Sequence, residues 1–544
     1  MRHIGLEQMA SWAVGLRLQD VPKPVREHAK NQVFSMLGAV HSGYASDLGP
    51  ALGRSFQWRS PGPSRILPTG EATDPIQAAV LMSAWSMALD YDDVMLGGHT
   101  GHSSVLVPLS YAPVRGLSGE NLLVAQIAAN EIAARINMAA ALGPARGQMA
   151  THLHLIGAAA ALARVQGLTA GPFAHALALA MSYPAKALHA AFLGSDAKAL
   201  CAAWPIRCGL EAVGAATTGV RSTLEIVEGA GGLLRSLTPT PRTDFLQGLG
   251  ERWHTETNSY KAHPGSAYLQ AAAEAAENLA ARPGFSLPDV RRIDVFCSLL
   301  TAGMDAQSRP YLDNTEPSIA TASFSTAYAV ACAIVFGQFR AEHLREGVRR
   351  GPEVWDCVGK VRICHDPRLT IEALKADIPI GAALMNAGRF GRLRFLLTSG
   401  HQGKTGHPVP VKLREKLYIA GRLCMPAARS VPRDFSAMKK PLGARVAITL
   451  ANGETAVQSV EIPRGFAGSG DWAASRRLMR EKYLACAGEN VDGAAALEAS
   501  DLIERLEELP PREVQRLIEL NLSRVTLWPQ PALSLGRGNS AHQS

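Results

Sequence analysis

Aromatic residues are scarce in this 544-residue chain: 6% of it is Phe, Trp or Tyr, while 47% is hydrophobic. The formal net charge is +8, yet the basic residues form only isolated pairs such as Arg291-Arg292 and Lys439-Lys440. No basic stripe interleaved with aromatics is present, which argues against a nucleic-acid surface. An excess of positive charge suits a small anionic substrate instead.

Two further absences narrow the class of protein. The eight cysteines include no C-x-x-C pair and no metal-finger spacing, so we expect reduced core thiols and no metal site. The most apolar stretch, residues 322–337, is interrupted by Ser323, Ser325 and Thr326 and is short for a bilayer span. The first sixteen residues lack the continuous apolar region of a signal peptide. We therefore expect a soluble, cytoplasmic protein that does not bind a membrane.

The length of the chain exceeds what one ordinary hydrophobic core accommodates, so two or more domains are expected. Helical periodicity dominates residues 1–257 and returns at Trp472, which predicts a helical domain completed by residues 466–528. Strand-like segments alternate with helices in residues 258–465, the pattern of a smaller α+β domain. Residues 529–544 are interpreted as a polar tail.

Local patterns predict individual elements. Ser118 caps a helix that continues through Ile136. Asn452-Gly453 lies between two strand-like segments and is a hairpin signal, because both turn positions require positive φ. Gly-rich residues 400–406 predict a mobile loop. The other main predicted elements are helices at 78–89, 155–166, 173–182 and 321–336, and strands at 290–298, 360–364, 445–450 and 456–462.

The densest polar cluster follows the predicted helix 78–89. Its two halves are Asp90-Tyr91-Asp92-Asp93 and Gly98-His99-Thr100-Gly101-His102-Ser103-Ser104. Carboxylates are unfavourable at the negative end of a helix dipole, so three of them there need a substrate, a cation or a metal as partner. A solvated helix end followed by a polar loop fits this pattern equally well. Asp and His together also suit a divalent ion.

An Asp-x-Asp-Asp string also occurs in class II terpene cyclases, which are helical and protonate an alkene with a carboxylic acid. The chain has none of the repeats or aromatic-lined motifs that such a cyclase requires, and aromatics are sparse. This interpretation ranks second.

Lysines occur in two glycine-containing stretches, Gly194-Ser195-Asp196-Ala197-Lys198-Ala199-Leu200 and Tyr260-Lys261-Ala262-His263-Pro264-Gly265-Ser266. A surface position explains each lysine by itself. Two lysines near carboxylate–histidine clusters also fit a site that neutralises substrate carboxylates. Tyr328 lies in an apolar helix and needs a hydrogen-bond partner if buried; an ordinary core tyrosine fits it as well.

These segments, taken in order, resemble those of the MmgE/PrpD family, which includes 2-methylcitrate dehydratase, cis-aconitate decarboxylase and iminodisuccinate epimerase. The resemblance covers most of the chain, and the order of the segments is more specific than any one of them. The matching segments are Ala88-Leu89-Asp90-Tyr91-Asp92-Asp93, His102-Ser103-Ser104 with Val107-Pro108, Asn130-Glu131-Ile132-Ala133-Ala134-Arg135-Ile136, Gly157-Ala158-Ala159-Ala160, Asp196-Ala197-Lys198-Ala199-Leu200 with Gly209, Tyr260-Lys261-Ala262-His263-Pro264, Phe324-Ser325-Thr326-Ala327-Tyr328 and Lys360-Val361-Arg362.

The resemblance implies an all-helical domain plus an α+β lid, a homodimer, and a cleft that needs neither a metal nor another cofactor. Carried over by position, the catalytic residues are Asp90, His102, Lys198 and Tyr328. The residues implied in substrate binding are Asp93, His99, Gln148, His152, Lys261, His263 and Gln270.

The chain departs from the family pattern at several of these positions. Val94 stands where decarboxylase-like members have threonine, and Gln148 and Gln270 stand where histidines are expected. The His102 segment lacks the usual proline and aligns with a one-residue shift, so His99 is an alternative catalytic histidine. Residues 377–440 are interpreted as an insertion.

The resemblance predicts a lyase of the dehydratase type that acts on a small di- or tricarboxylate by proton abstraction next to a carboxylate. Lys198 and Lys261 would bind substrate carboxylates, and His102 or Asp90 would act as general base or acid. An isomerase, an epimerase or a decarboxylase could use the same site. A terpenoid-type cyclase and a non-catalytic binding protein are the remote alternatives.

Overall fold

The structure is a computed structural model that describes residues 5–56, 60–140, 148–149, 151–185, 187–238, 241–312, 317–376, 413–423 and 434–523. For residues 148–149 only the backbone is described. The 400–406 loop, most of the 377–440 insertion and the polar tail lie outside the described residues. Most of the described residues are helical, and a small sheet lies in the second half of the chain.

The first half of the chain is built from helices whose starts follow ordinary capping chemistry. Asp74 accepts hydrogen bonds from the amides of Ile76 and Gln77, and Ser118 accepts one from the amide of Asn121, as its position predicted. The helices are α1 Leu6–Gly15, α2 Lys23–Tyr44, α3 Gly49–Ser55, α4 Pro75–Ala88, α5 Gly101–Ser104, α6 Leu106–Arg115, α7 Gly119–Ala139, α8 His152–Val165, α9 Ala170–Ser182, α10 His189–Gly194, α11 Leu200–Thr217 and α12 Leu233–Leu237.

The family resemblance implied an all-helical domain, but this half also contains strands. It contains short strands that pair two residues at a time, too few to produce an alternating pattern in the sequence. The antiparallel pairs are β1 Ser64–Arg65 with β2 Ala72–Thr73, β4 Gln148–Met149 with β5 Ala187–Leu188, and β3 Asp93–Val94 with β6 Ser259–Tyr260.

The second half combines helices with a four-stranded sheet. The strands are β7 Val290–Cys297, β8 Val361–His365, β9 Ala444–Leu450 and β10 Thr455–Val460, in the order β10-β9-β7-β8, and only β7 and β8 are parallel. The hairpin predicted at Asn452-Gly453 is confirmed, although only Gly453 of the two turn residues has the expected positive φ, at 88°. The helices are α13 Gln270–Ala280, α14 Leu299–Ser308, α15 Ile319–Phe324, α16 Thr326–Phe336, α17 Glu346–Arg349, α18 Pro352–Val358, α19 Pro367–Ala376 and α20 Leu413–Leu423.

The helix predicted at 321–336 is divided into α15 and α16 at Ser325. The backbone of Ser325 is extended, with φ −85° and ψ 112°, and its hydroxyl accepts a hydrogen bond from the amide of Tyr328. Serine competes for backbone groups in this way, which starts a new helix within one apolar run.

The chain ends with helices that return to the first half. They are α21 Trp472–Ala487, α22 Gly493–Glu504 and α23 Pro511–Leu520. Helix α21 packs along α2, and Met479, Tyr483 and Leu517 belong to the same buried cluster as Phe34 and Leu37. A second cluster joins α13, α16 and α18 to the inner face of the sheet. No helix among the described residues is long and apolar enough to cross a bilayer.

Candidate active site

The acidic segment predicted from the sequence forms a buried turn between α4 and β3. Asp90 has φ 51°, a left-handed conformation that no other described residue except glycine adopts. Aspartate tolerates this conformation better than most residues. The turn leads into β3, whose Asp93 pairs with Tyr260 of β6. This pairing brings Lys261 to the carboxylates that follow α4.

Asp92 is the centre of the cluster and is wholly buried. Its Oδ1 accepts a hydrogen bond from Lys261 Nζ at 2.6 Å. Its Oδ2 lies 2.6 Å from Nδ1 of His99 and 3.0 Å from Nε2 of His102. Burial alone would raise the pKa of Asp92, but the ammonium of Lys261 and the ring of His99 hold it well below its usual value. Asp92 is therefore an anion shared by three donors.

Asp90 joins the two predicted lysines. Its Oδ1 accepts from Lys198 Nζ at 2.8 Å, and its Oδ2 lies 3.3 Å from Lys261 Nζ. Burial opposes the charge of Asp90, but Lys198 and Lys261 bring its pKa below the usual value. Lys198 also lies 5.3 Å from the ring centre of Phe192 and 5.5 Å from that of Phe324. Both lysines are buried and paired with aspartates, which the sequence did not indicate.

The two candidate histidines differ in exposure. The His102 ring is fully buried, and it bonds Asp92 through Nε2 and the hydroxyl of Ser86 through Nδ1 at 2.7 Å. The His99 side chain is 35% exposed. A carboxylate only accepts hydrogen bonds, so Nδ1 of His99 carries the proton that faces Asp92. In the neutral ring Nε2 then holds a lone pair, and no described residue hydrogen-bonds this atom.

Asp93 follows Asp92 in the chain but has a different environment. Its Oδ2 accepts from Nε2 of Gln32 at 2.7 Å, whereas Oδ1 has no hydrogen-bond partner among the described residues. Burial and the nearby charge of Asp92 raise the pKa of Asp93. Gly101 must lack a side chain here, because a Cβ would come within 2.2 Å of Asp93 Oδ1.

The remaining first-half candidates lie around this core. The His154 ring meets that of His102 edge-on with centroids 5.4 Å apart, and burial lowers the pKa of His154 well below the usual value. His152 is buried at the start of α8, close enough to His154 to lower its pKa further. Gln148 lies in β4, where its backbone pairs with Leu188; its side chain is outside the described residues.

The second-half candidates make their hydrogen bonds elsewhere. The Tyr328 hydroxyl donates to the carbonyl of His343 at 2.7 Å. Nδ1 of His263 faces the carbonyl of Phe339 at 3.2 Å, and burial lowers the pKa of His263 to about 3. Gln270 bonds both the amide and the carbonyl of His263, at 3.0 and 2.9 Å. His263 and Gln270 shape the turn that follows Lys261, and the part of all three residues in substrate binding or proton transfer stays a prediction.

Sequence reasoning missed a third buried lysine at the site, Lys482 of α21. Its Nζ donates to the carbonyl of Tyr91 and to Oγ of Ser35, the latter at 3.1 Å. The sequence pattern could have indicated it, because Lys482 lies on the buried stripe of α21 with Met479, Tyr483 and Cys486. A lysine on such a stripe needs a partner inside the protein.

The described residues contain no group of three or more His, Cys, Asp or Glu side chains arranged to hold a metal ion. What the cluster offers chemically is an aspartate-oriented, partly exposed imidazole in a cluster with three buried lysines. That combination suits the transfer of a proton to or from an anionic molecule.

Comparison with known proteins points to the same family as the sequence. The model of the MmgE/PrpD N-terminal domain matches residues 7–246, and that of the MmgE/PrpD C-terminal domain matches residues 263–389. A cis-aconitate decarboxylase of Aspergillus terreus is 25% identical over 395 residues, which cover 65% of this chain and 77% of that protein. A cis-aconitate decarboxylase of Aspergillus terreus strain NIH 2624 / FGSC A1156 is 25% identical over 399 residues, covering 66% and 78%.

Proposed function

This chain belongs to the MmgE/PrpD family, and we propose that it is a cofactor-independent lyase acting on a small di- or tricarboxylate. The two cis-aconitate decarboxylases that match about two thirds of this chain are enzymes, which supports a catalytic rather than a purely binding role. The proposed reaction is the removal of a proton from the carbon next to a carboxylate, followed by the loss of water.

One observation carries the proposal: His99 is held by Asp92 at 2.6 Å and still exposes part of its ring. The aspartate fixes the tautomer and stabilises the imidazolium that forms when Nε2 accepts a proton. His102, the histidine that the family pattern favoured, has both ring nitrogens bonded inside the protein. We therefore assign the role of general base to His99.

The buried lysines supply the electrostatic part of the mechanism. When the base removes the proton, the electron pair of the C–H bond delocalises onto the adjacent carboxylate. The ammonium groups of Lys198 and Lys261 stabilise this charge, although each already pairs with an aspartate. In the dehydration, the electron pair then forms a C=C bond as the β-hydroxyl leaves. The imidazolium of His99 gives the proton that it took to that hydroxyl, which leaves as water.

A decarboxylase is the second candidate, because the curated relatives bear that name. In that reaction the C–C bond to a carboxylate breaks, carbon dioxide leaves, and the electron pair takes a proton from the acid form of the histidine. An epimerase would return the first proton to the opposite face of the same carbon. All three reactions use the same proton-transferring group, and Val94 in place of the expected threonine is consistent with a substrate other than cis-aconitate.

The test is incubation of the purified, chelator-treated protein with a panel of di- and tricarboxylates in deuterated water, read by NMR and mass spectrometry. We expect deuterium incorporation together with loss of water. Loss of carbon dioxide would identify a decarboxylase, and deuterium exchange without either loss would identify an epimerase. His99→Gln should slow the reaction by about 10²–10⁴-fold. Lys439→Gln, at an exposed position, is the control.

His102→Ala separates the two histidines. If His102 is the base, this variant loses turnover and His99→Gln retains it, which would reverse our assignment. Absence of exchange with every acid in the panel, from a folded protein, would contradict the carboxylate chemistry itself and favour the cyclase or the binding protein.

A further inference from the structure

Helix α21, the first of the three helices that return to the first half of the chain, places one charged side chain beside the candidate site. Lys482 is 5% exposed, and α21 is held along α2 by further contacts, including the hydrogen bond from Nδ2 of Asn31 to the carbonyl of Trp472 at 2.9 Å. Residue 482 lies beyond both matched family domains, which end at residues 246 and 389. A role for it therefore does not follow from the family match.

The contacts of Lys482 converge on the acidic turn. Its Nζ donates to the carbonyl of Tyr91 and lies 4.0 Å from the centre of the Tyr91 ring. That carbonyl belongs to the peptide that joins Tyr91 to Asp92, and Asp90 precedes it with its left-handed backbone. Oγ of Ser35 on α2 accepts a second hydrogen bond at 3.1 Å. The ammonium thus holds the backbone between the two site carboxylates.

The charge of Lys482 is not neutralised by a direct ion pair with a described residue. The titratable groups that face it are Cys486 on its own helix, Tyr91, Asp92 and Asp93 on the acidic turn, and Lys261 near β6. Burial lowers the pKa of Lys482 to about 8. A buried cation without an ion pair is costly. An apolar residue such as its neighbours Met479 and Cys486 would fill this stripe position without that cost.

We propose that Lys482 is a positioning residue of the active site, which fixes the Tyr91–Asp92 peptide and adds a third buried lysine charge to the cluster around Asp90 and Asp92. Through it, helix α21 completes the site. The positioning of the turn stands on the geometry alone, whereas its effect on turnover rests on the proposed lyase function.

Hydrogen exchange tests the positioning without a substrate. In Lys482→Met we expect the amides of residues 90–94 to exchange at least tenfold faster than in the wild type, because the carbonyl loses its donor. Lys482→Arg should restore part of the protection, and Arg477→Met, at an exposed position of the same helix, should leave it unchanged. Equal exchange in Lys482→Met and the wild type would overturn the proposal. If Lys482→Met does not fold, Ser35→Ala removes one partner of Nζ and should accelerate the same amides more weakly.

The pH profile tests the charge. Wild-type turnover should fall as the pH rises above about 8, where Lys482 loses its proton. Lys482→Arg keeps its charge, so its rate should hold to higher pH, and Lys482→Met should be at least tenfold slower below pH 8 without this decline. A wild-type decline that persists in Lys482→Met would refute the role of the charge. If the wild type converts no acid in the panel while Lys482→Met still shows the faster amide exchange, that result would contradict the lyase function and support the positioning role.

Discussion

Two of the buried charge networks among the described residues differ in the kind of partner each carboxylate has. Glu131 and Arg135 of α7 pair one turn apart, and both side chains are fully buried. The Glu131 carboxylate also accepts from the amides of His254 and Thr255, each at 2.9 Å. Arg135 donates to the carbonyl of Gly248 at 2.9 Å. Most of these partners are backbone groups, whose charge does not change with pH.

In the network around Asp92 the partners are titratable side chains. Lys261 and two histidines bond the carboxylate of Asp92, and Lys198 bonds that of Asp90. One of the two histidines, His99, has a partly exposed side chain. A proton added at His99 can therefore be balanced inside the cluster. Burial of charge alone thus indicates only that a network is important for the structure. Titratable partners and a route to solvent are what distinguish a candidate catalytic site.

The largest effect should come from removing the charge that orients His99. Asp92→Asn should lower turnover by about 10²–10⁴-fold, because the amide neither fixes the protonated Nδ1 nor stabilises the imidazolium. The rate is measured on the acid identified in the deuterium experiment, with Asp356→Asn at an exposed position as the control. If Asp92→Asn keeps more than a tenth of the rate, the two networks do not differ in the way described.

Disrupting the Glu131–Arg135 network should lower the stability of the protein and leave its turnover nearly unchanged. Glu131→Gln leaves the buried Arg135 charge without its counter-ion, which costs about 3–5 kcal/mol of unfolding free energy. Urea unfolding measures this loss. Turnover per folded molecule should remain within a few-fold of the wild type.

Glu498→Gln provides the matched comparison, since it removes the carboxylate of the exposed pair between Glu498 and Arg516. We expect no measurable change in its urea midpoint. If Glu131→Gln were equally harmless, the Glu131–Arg135 pair would not hold the turn at residues 254–257.

The smallest predicted effect concerns stability in acid. Because the folded-state pKa of Asp92 lies below the unfolded value of 3.8, the unfolded state binds the proton first as the pH falls. The stabilisation is complete above the unfolded pKa and is lost as the pH decreases towards the folded one.

The urea midpoint of the wild type should therefore fall more steeply between pH 5 and pH 3 than that of Asp92→Asn. Asp356→Asn should follow the wild-type curve. Parallel curves for Asp92→Asn and the wild type would show that Asp92 does not retain its charge in the folded protein.

Much of the local structure follows from sequence patterns. Ser118, Asn452 and Gly453 predicted a helix start and a hairpin that the structure contains, because capping and positive φ are properties of a few neighbouring residues. The break at Ser325 was missed, since an apolar run gives no sign of which serine will bond the backbone. The two-residue strands β3 and β6 were missed because their pairing joins residues 167 positions apart, as in Asp93 with Tyr260.

The candidate site was predicted as a set of residues but not as an arrangement. Asp90, His99, His102, Lys198 and Lys261 meet in one buried cluster. Tyr328, which the family pattern also named, donates to the carbonyl of His343, and its catalytic role stays a prediction. Ser86 and Lys482 were not predicted, because their roles depend on which helices lie side by side.

The sequence by itself determined the family, the dominance of helices and the residue types from which the site is built, since these depend on composition, local chemistry and the order of segments. The tertiary structure decided which side chains share a carboxylate, which histidine keeps an exposed ring and which lysine reaches the acidic turn from the end of the chain. These properties depend on distances between groups far apart in sequence. Hydrogen bonding and the effect of burial on charge change over a few ångströms, and no local pattern records such separations.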